Sequence, residues 1–157
     1  MNNIVKVTGT FEAAHRLSFD EHGSCSNIHG HSYKTHFFFI GELSKGSMVV
    51  DFRIVKKLVK EVTDKLDHCL ILFKDDSLLP AIKPLMSHFR MGLRELDAEP
   101  TAESLARWLA TEFVKINPGL LRDLDKLRLG AVEVSETETT MARYVLRNPK
   151  DDQDDGK

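Results

Sequence analysis

Five of the seven histidines, His15, His22, His29, His31 and His36, crowd into the first quarter of the chain, and two of them stand as His29-Gly30-His31. On an extended strand, positions i and i+2 share a face, so these two imidazoles can meet one ion, with the glycine leaving space between them. His15 supplies a third nitrogen if its own strand pairs with theirs. Three neutral imidazoles with an open fourth position form the catalytic type of zinc site, whereas a structural site is closed by four protein ligands. Cys25 leaves both readings open, because Cys-x-x-x-His-x-His can also be a closed site of one thiolate and three imidazoles. A lone buried histidine is more often a satisfied core residue; the clustering is what favours the metal.

Two further constellations carry proton chemistry. In Asp67-His68 the carboxylate can hold one ring nitrogen and orient the other, although the same pair at a helix end is often only a solvated last turn. Cys25, in a loop beside the histidines, becomes a usable base if a cation or metal lowers its thiol pKa. Cys69, followed by Leu70-Ile71-Leu72, reads as a small apolar packing residue. Glu136 continues the buried parity of Val132 and Val134, and a buried carboxylate needs a partner; two parallel N–H groups of a guanine-like or pterin ring would serve, unless the strand end is simply wet.

The elements that must position these groups follow from periodicity. Val5, Val7, Phe11, Ala13 and His15 share one parity of a strand from Ile4 to His15, and His29, His31, Tyr33, Thr35, Phe37 and Phe39 share a face of a second strand to Glu42. Residues 20–27 are small and polar and read as a loop. A short strand is expected at Met48-Val49-Val50. Asp51 then caps an amphipathic helix burying Ile54, Leu58, Val62 and Leu66 and ending near Asp67-His68. Thr101 caps another helix, with Glu103 in its first turn and Leu105, Trp108, Leu109 and Phe113 inward, stopped by Asn117-Pro118-Gly119. Strands are expected from Lys126 to Glu136 and from Thr140 to Arg147, with a bulge at Gly130 where the parity changes phase. Between them, Pro80 and Pro84 break any long helix, and Leu93 to Asp97 offers one more strand. This order suits an α+β fold, an antiparallel sheet with helices on one face.

Size and charge exclude several functions. The 157 residues suit one domain, read here as residues 1–147 followed by an acidic tail, 148–157, expected to be disordered. Lys and Arg (22) nearly balance Asp and Glu (24), so no global basic field exists for nucleic acid or an acidic membrane. No apolar run reaches the ~20 residues of a spanning helix. The first residues lack the order of a signal peptide, and two well-separated cysteines suit a reducing compartment, so a cytoplasmic protein is expected.

Phe11-Glu12-Ala13-Ala14-His15-Arg16-Leu17, Cys25-x-x-x-His29-Gly30-His31, Asp51-Phe52, Leu66-Asp67-His68, Pro100-Thr101-Ala102-Glu103 and Glu136-Thr137 occur in this order. With them the chain resembles the 6-pyruvoyl-tetrahydropterin synthase family over residues 4–147, and within it the bacterial branch that makes 6-carboxytetrahydropterin for queuosine biosynthesis. Several motifs co-occurring in order are far more specific than any one of them.

The resemblance implies a tunnelling fold (T-fold) assembled through barrels into a homohexamer with active sites shared between subunits. It implies zinc on His15, His29 and His31, with Cys25 as the base rather than a fourth ligand. Asp67 and His68 would complete a proton relay from a neighbouring subunit, and Glu136 would anchor the pterin, with Thr101 and Glu103 near it. The implied substrate is 7,8-dihydroneopterin triphosphate, and the implied activity a lyase releasing triphosphate and acetaldehyde. Two alternatives share these residues: the pyruvoyl-forming synthase, and a non-catalytic zinc- or pterin-binding module. Arg16 and Arg143 are the candidate triphosphate ligands, each of which could equally be a surface ion pair.

Overall fold

Alternation along the first two strands sets the frame. In a computed structural model describing residues 2–118 and 127–147, and only the backbone of Asp20, Glu21 and His22, β1 (Asn3–His15) pairs antiparallel with β2 (His29–Gly41) over their whole length. Between them runs a 3-10 segment, Asp20–Ser26, where the sequence suggests loop. After α1 (Phe52–Thr63) come β3 (Cys69–Phe73), α2 (Leu79–His88), β4 (Gly92–Leu96), α3 (Ala102–Ile116), β5 (Leu127–Ser135) and β6 (Ala142–Val145). The six strands form one sheet in the order β4-β3-β1-β2-β5-β6.

The inward set of β1 and β2, including Phe11, Tyr33, Phe37 and Phe39, packs with Val55, Val59 and Val62 of α1 and Leu105, Leu109 and Phe113 of α3 in one core. Burying one such side chain contributes about 1.5–3 kcal/mol, so this shared layer dominates the fold's stability. Gly9 lets α1 approach: a Cβ there would stand 2.8 Å from Val59 Cγ1 and 3.0 Å from Thr63 Cγ2. The expected bulge is present, since β2–β5 pairing slips between Phe38 and Phe39 opposite the Leu129–Ala131 stretch that contains Gly130.

The α+β architecture is as expected, and several details differ. The sheet is mixed, because β3 runs parallel to both β1 and β4. Parallel pairing needs crossover connections, and α1 and α2 supply them. Whereas α1 and α3 share one face, α2 packs Leu79 and Met86 against Leu70 and Leu72, side chains alternate to core residue Ile71. Pro80 is tolerated in its first turn, and Pro84 sits inside it, so the two prolines do not abolish this helix. Met48-Val49-Val50 forms bends rather than a strand. Helix α1 ends at Thr63, and its buried face is rotated to Val55, Val59 and Val62, leaving Ile54 51% exposed. Lys126 and the acidic tail 148–157 lie outside the described residues.

Candidate metal centre and its cavity

Strand register builds the centre. His15 is the direct cross-strand partner of His29, and Ala13 that of His31, so the three imidazoles project from neighbouring points on one face of the β1–β2 ladder. Their ligand nitrogens lie within 4.8 Å of one another. The surrounding backbone fixes the tautomers: His15 Nδ1 donates to the Pro100 carbonyl at 2.7 Å and His29 Nδ1 to the Asn27 carbonyl at 2.8 Å. In its neutral form each ring would carry a lone pair on Nε2, and these two atoms face each other at 3.1 Å. Two lone pairs at that distance repel unless a cation lies between them. Nitrogens bound at about 2.0–2.1 Å to one tetrahedral zinc stand about 3.4 Å apart, so the donor set fits such an ion. The carbonyls are the outer partners that commonly orient ligating histidines.

Burial favours the neutral, ligating state of His15, which is 2% exposed. Desolvation lowers its pKa to about 4, only partly offset by the Pro100 bond. Beside it, Glu136 Oε1 is 4.0 Å from His15 Nε2. Burial raises the Glu136 carboxyl pKa, His31 and His29 oppose that rise, and the like charge of Glu103 adds to it.

A cavity of about 570 Å³ opens on this centre. Besides the three imidazoles, its walls carry Cys25, Thr101, Glu103, Glu136 and Met141. One hollow thus gathers seven of the nine candidate residues: His15, Cys25, His29, His31, Thr101, Glu103 and Glu136. Cys25 is a free, partly buried thiol on that wall and does not belong to the cluster of mutually close ligand atoms. Thr101 caps α3 by accepting the Ser104 N–H at 3.4 Å, so the helix start that places Glu103 also forms the cavity wall.

Asp67 and His68 are held elsewhere. The Glu12 N–H donates to Asp67 Oδ1 at 2.8 Å, the His68 N–H donates to the Glu12 carbonyl at 2.6 Å, and His68 Nδ1 donates to Asp67 Oδ2 at 2.9 Å. The Glu12 amide is the larger cause of the lowered Asp67 pKa, and His68 adds to it. His68 adopts φ 57°, an uncommon conformation for a residue other than glycine, and its side chain is 80% exposed. It borders a second hollow of about 630 Å³, built on the alternate positions Glu12, Ala14, Gly30 and Ser32; His31 borders both. Within one chain the relay is thus not brought to Cys25.

The two candidate phosphate-binding arginines are engaged with carboxylates. Arg16 Nε stands 3.5 Å from Asp76 Oδ2, and Arg143 Nε donates to Glu133 Oε1 at 2.7 Å. Of the remaining clustered histidines, His36 pairs with Thr8 at 3.0 Å away from the centre, and the side chain of His22 is outside the described set. Sequence reasoning missed the carbonyls of Pro100 and Asn27, which have no side-chain signature. It also missed Tyr33 as a support: buried and stacked on Phe11 at 4.6 Å, this ring meets His15 and His31 edge-on at 5.8 and 5.6 Å.

Fold and site together define an α+β protein whose paired strands carry a three-histidine cluster able to hold a metal ion, opening on a cavity that a free thiol and a half-buried glutamate also line. The family model for 6-pyruvoyl tetrahydropterin synthase matches residues 4–147, and the chain belongs to that family. Similar proteins include the 6-carboxy-5,6,7,8-tetrahydropterin synthases of Haemophilus influenzae, 30% identical over 86% of this chain and 93% of that one, and of Synechocystis, 32% identical over 86% and 87%. Among solved structures, a Plasmodium falciparum 6-pyruvoyl tetrahydropterin synthase superposes with a TM-score of 0.68 at 22% identity, covering 91% of this chain and 96% of that one. An uncharacterized Wolinella succinogenes protein gives 0.71 at 23%, covering 94% and 99%. These two likenesses show the tunnelling fold. No described helix is long and apolar enough to cross a membrane.

Proposed function

We propose that this protein is a zinc-dependent lyase that converts 7,8-dihydroneopterin triphosphate and water to 6-carboxy-5,6,7,8-tetrahydropterin, acetaldehyde and triphosphate, a step of queuosine biosynthesis. The observation that carries this reading is the gathering of three imidazoles, one free thiol and one half-buried glutamate around a single cavity in a chain of this family. The relatives at 30–32% identity that carry the carboxy-forming name favour that product over the pyruvoyl one.

His15, His29 and His31 would hold the ion, which when bound acts as a Lewis acid toward the side-chain oxygens of the substrate. Glu136 accepts the paired N–H groups of the pterin, a charge-assisted contact that orients the ring, with Thr101 and Glu103 alongside. The Cys25 thiolate removes a proton from the substrate side chain. Asp67 orients His68, which returns a proton from a neighbouring subunit in a homohexamer; this sharing accounts for a relay that is ordered yet turned away from Cys25 in its own chain. A non-catalytic module would need the histidines and Glu136 but neither Cys25 nor a strained, exposed His68.

Product analysis tests the proposal. Zinc-loaded protein given dihydroneopterin triphosphate should release acetaldehyde and 6-carboxytetrahydropterin in equal amounts. Cys25→Ala should abolish turnover with zinc retained, whereas His31→Ala should lose the metal. Accumulation of 6-pyruvoyl-tetrahydropterin without acetaldehyde would reassign the product. Loss of zinc from Cys25→Ala as complete as from His31→Ala would make Cys25 a ligand.

A further inference from the structure

Both carboxylate oxygens of Glu99 are committed to one residue. Oε2 accepts the backbone N–H of Ser18 at 2.9 Å, and Oε1 accepts the Ser18 hydroxyl. Ser18 follows Leu17, whose N–H donates to the Cys25 carbonyl at 2.8 Å, and Leu17 and Cys25 both line the cavity of the histidine centre. On the other side of the tether, the residue after Glu99 is Pro100, whose carbonyl orients His15, and the next is Thr101, which caps α3 and lines the same cavity. Three consecutive residues of the β4–α3 loop therefore reach the thiol-bearing segment, a histidine of the metal centre and the ring-binding wall.

The thiol-bearing segment needs such a tether. It lies between β1 and β2 and belongs to neither strand, and the 3-10 turns that carry Cys25 are interrupted at Gly23, with φ 60°. Hydrogen bonds to an ionised carboxylate are roughly twice as strong as neutral ones, and two to the same residue fix direction as well as distance.

Resting on the catalytic role given to Cys25 above, we propose that Glu99 is a positioning residue of the reaction, its two bonds to Ser18 setting where the Cys25 thiol stands relative to the three histidines and the Thr101–Glu103 wall. A displacement of about 1 Å in a reacting group can cost on the order of 100-fold in rate. Glu99 needs no contact with substrate to act this way.

Glu99→Ala and Ser18→Ala test this in the zinc-loaded, full-length protein. Each should lower kcat, Glu99→Ala by roughly 10- to 100-fold, with KM changed less than about 3-fold and zinc content unaltered. Glu99→Gln, which keeps one acceptor oxygen, should recover part of the loss. The double variant should be no worse than Glu99→Ala alone, because both changes break the same tether. A turnover-independent readout is the rate of Cys25 alkylation by iodoacetamide at fixed pH, followed on the Cys25 peptide. It should shift in the same direction in both single variants. If wild-type protein alkylates normally but does not convert the pterin, the functional reading fails while the alkylation comparison still tests the tether. An unchanged alkylation rate in both variants, or additive losses of kcat in the double variant, would overturn the positioning role. Ser18→Ala removes only a hydroxyl and keeps the test decisive if Glu99→Ala does not fold.

Discussion

Chelator-treated protein should lose stability between pH 7.5 and pH 5, with His15 alone accounting for about 2 kcal/mol of the loss. Burial lowers the His15 imidazole from 6.5 to about 4, outweighing the Pro100 hydrogen bond that pulls it up. An unfolded chain takes up a proton here as pH falls through 6.5, while the folded one resists until about 4. The stability associated with neutral His15 is therefore complete above 6.5 and is lost progressively on the way down. At pH 5 the unfolded state is favoured by a factor of about 30 relative to neutral pH, or about 2 kcal/mol, rising toward about 3 kcal/mol below pH 4. Urea unfolding of the metal-free protein at pH 7.5, 6 and 5, followed by circular dichroism, measures this directly. His15→Asn, which cannot titrate, should show a drop smaller by that amount. Parallel losses in the wild type and His15→Asn would refute the assignment of His15 as a buried neutral base.

Glu136→Gln should weaken binding of a pterin analogue far more than it weakens zinc. Because burial raises the Glu136 pKa, wild-type affinity should fall as pH drops through a value above the usual 4.5 and the variant's should not, which titration calorimetry checks. Mixing inactive Cys25→Ala with inactive His68→Ala subunits should restore part of the activity if the relay crosses between subunits; no recovery after verified subunit exchange would count against shared sites. Gly9→Ala should destabilise by about 1–3 kcal/mol, read from urea midpoints, since its methyl group meets Val59, Thr35 and Thr63 at 2.8–3.0 Å.

The three-histidine cluster was legible in the sequence because the strand period admits little error. Once His15, Phe11 and Val7 share a parity, the imidazole must face the core side, and one paired strand brings His29 opposite. The bulge at Gly130 was legible for the same reason, as a break in that period. Helix α1 was less so, because Ile54 and Val55 are both apolar and either could start the inward stripe; the helix approaches Gly9 through Val59 and Thr63, and Val55 lies one turn before Val59 on that face. The edge strand β4 was legible as the run Leu93 to Asp97, but its parallel pairing with β3 left no local mark, since pairing direction depends on where the crossover helices pack. Asp67-His68 announced its chemistry but not its location, because adjacency in sequence says nothing of which hollow a turn faces.

That division of faces has a chemical consequence. Alternate residues of the same two strands serve different hollows: His15 and His29 line the cavity with Cys25 and Glu136, Glu12 and Ser32 line the hollow bordered by His68, and His31 borders both. The Glu12 backbone itself clamps Asp67 and His68, and Ser32 donates to its side chain at 2.7 Å, so any shift of the relay would strain the ladder that also aligns His15 with His29. Moving His68 to its own chain's Cys25 would break that clamp. Bringing a second chain's His68 to it would leave both ladders intact, which supports the proposal of proton transfer across a subunit interface over one that needs a conformational change within one chain.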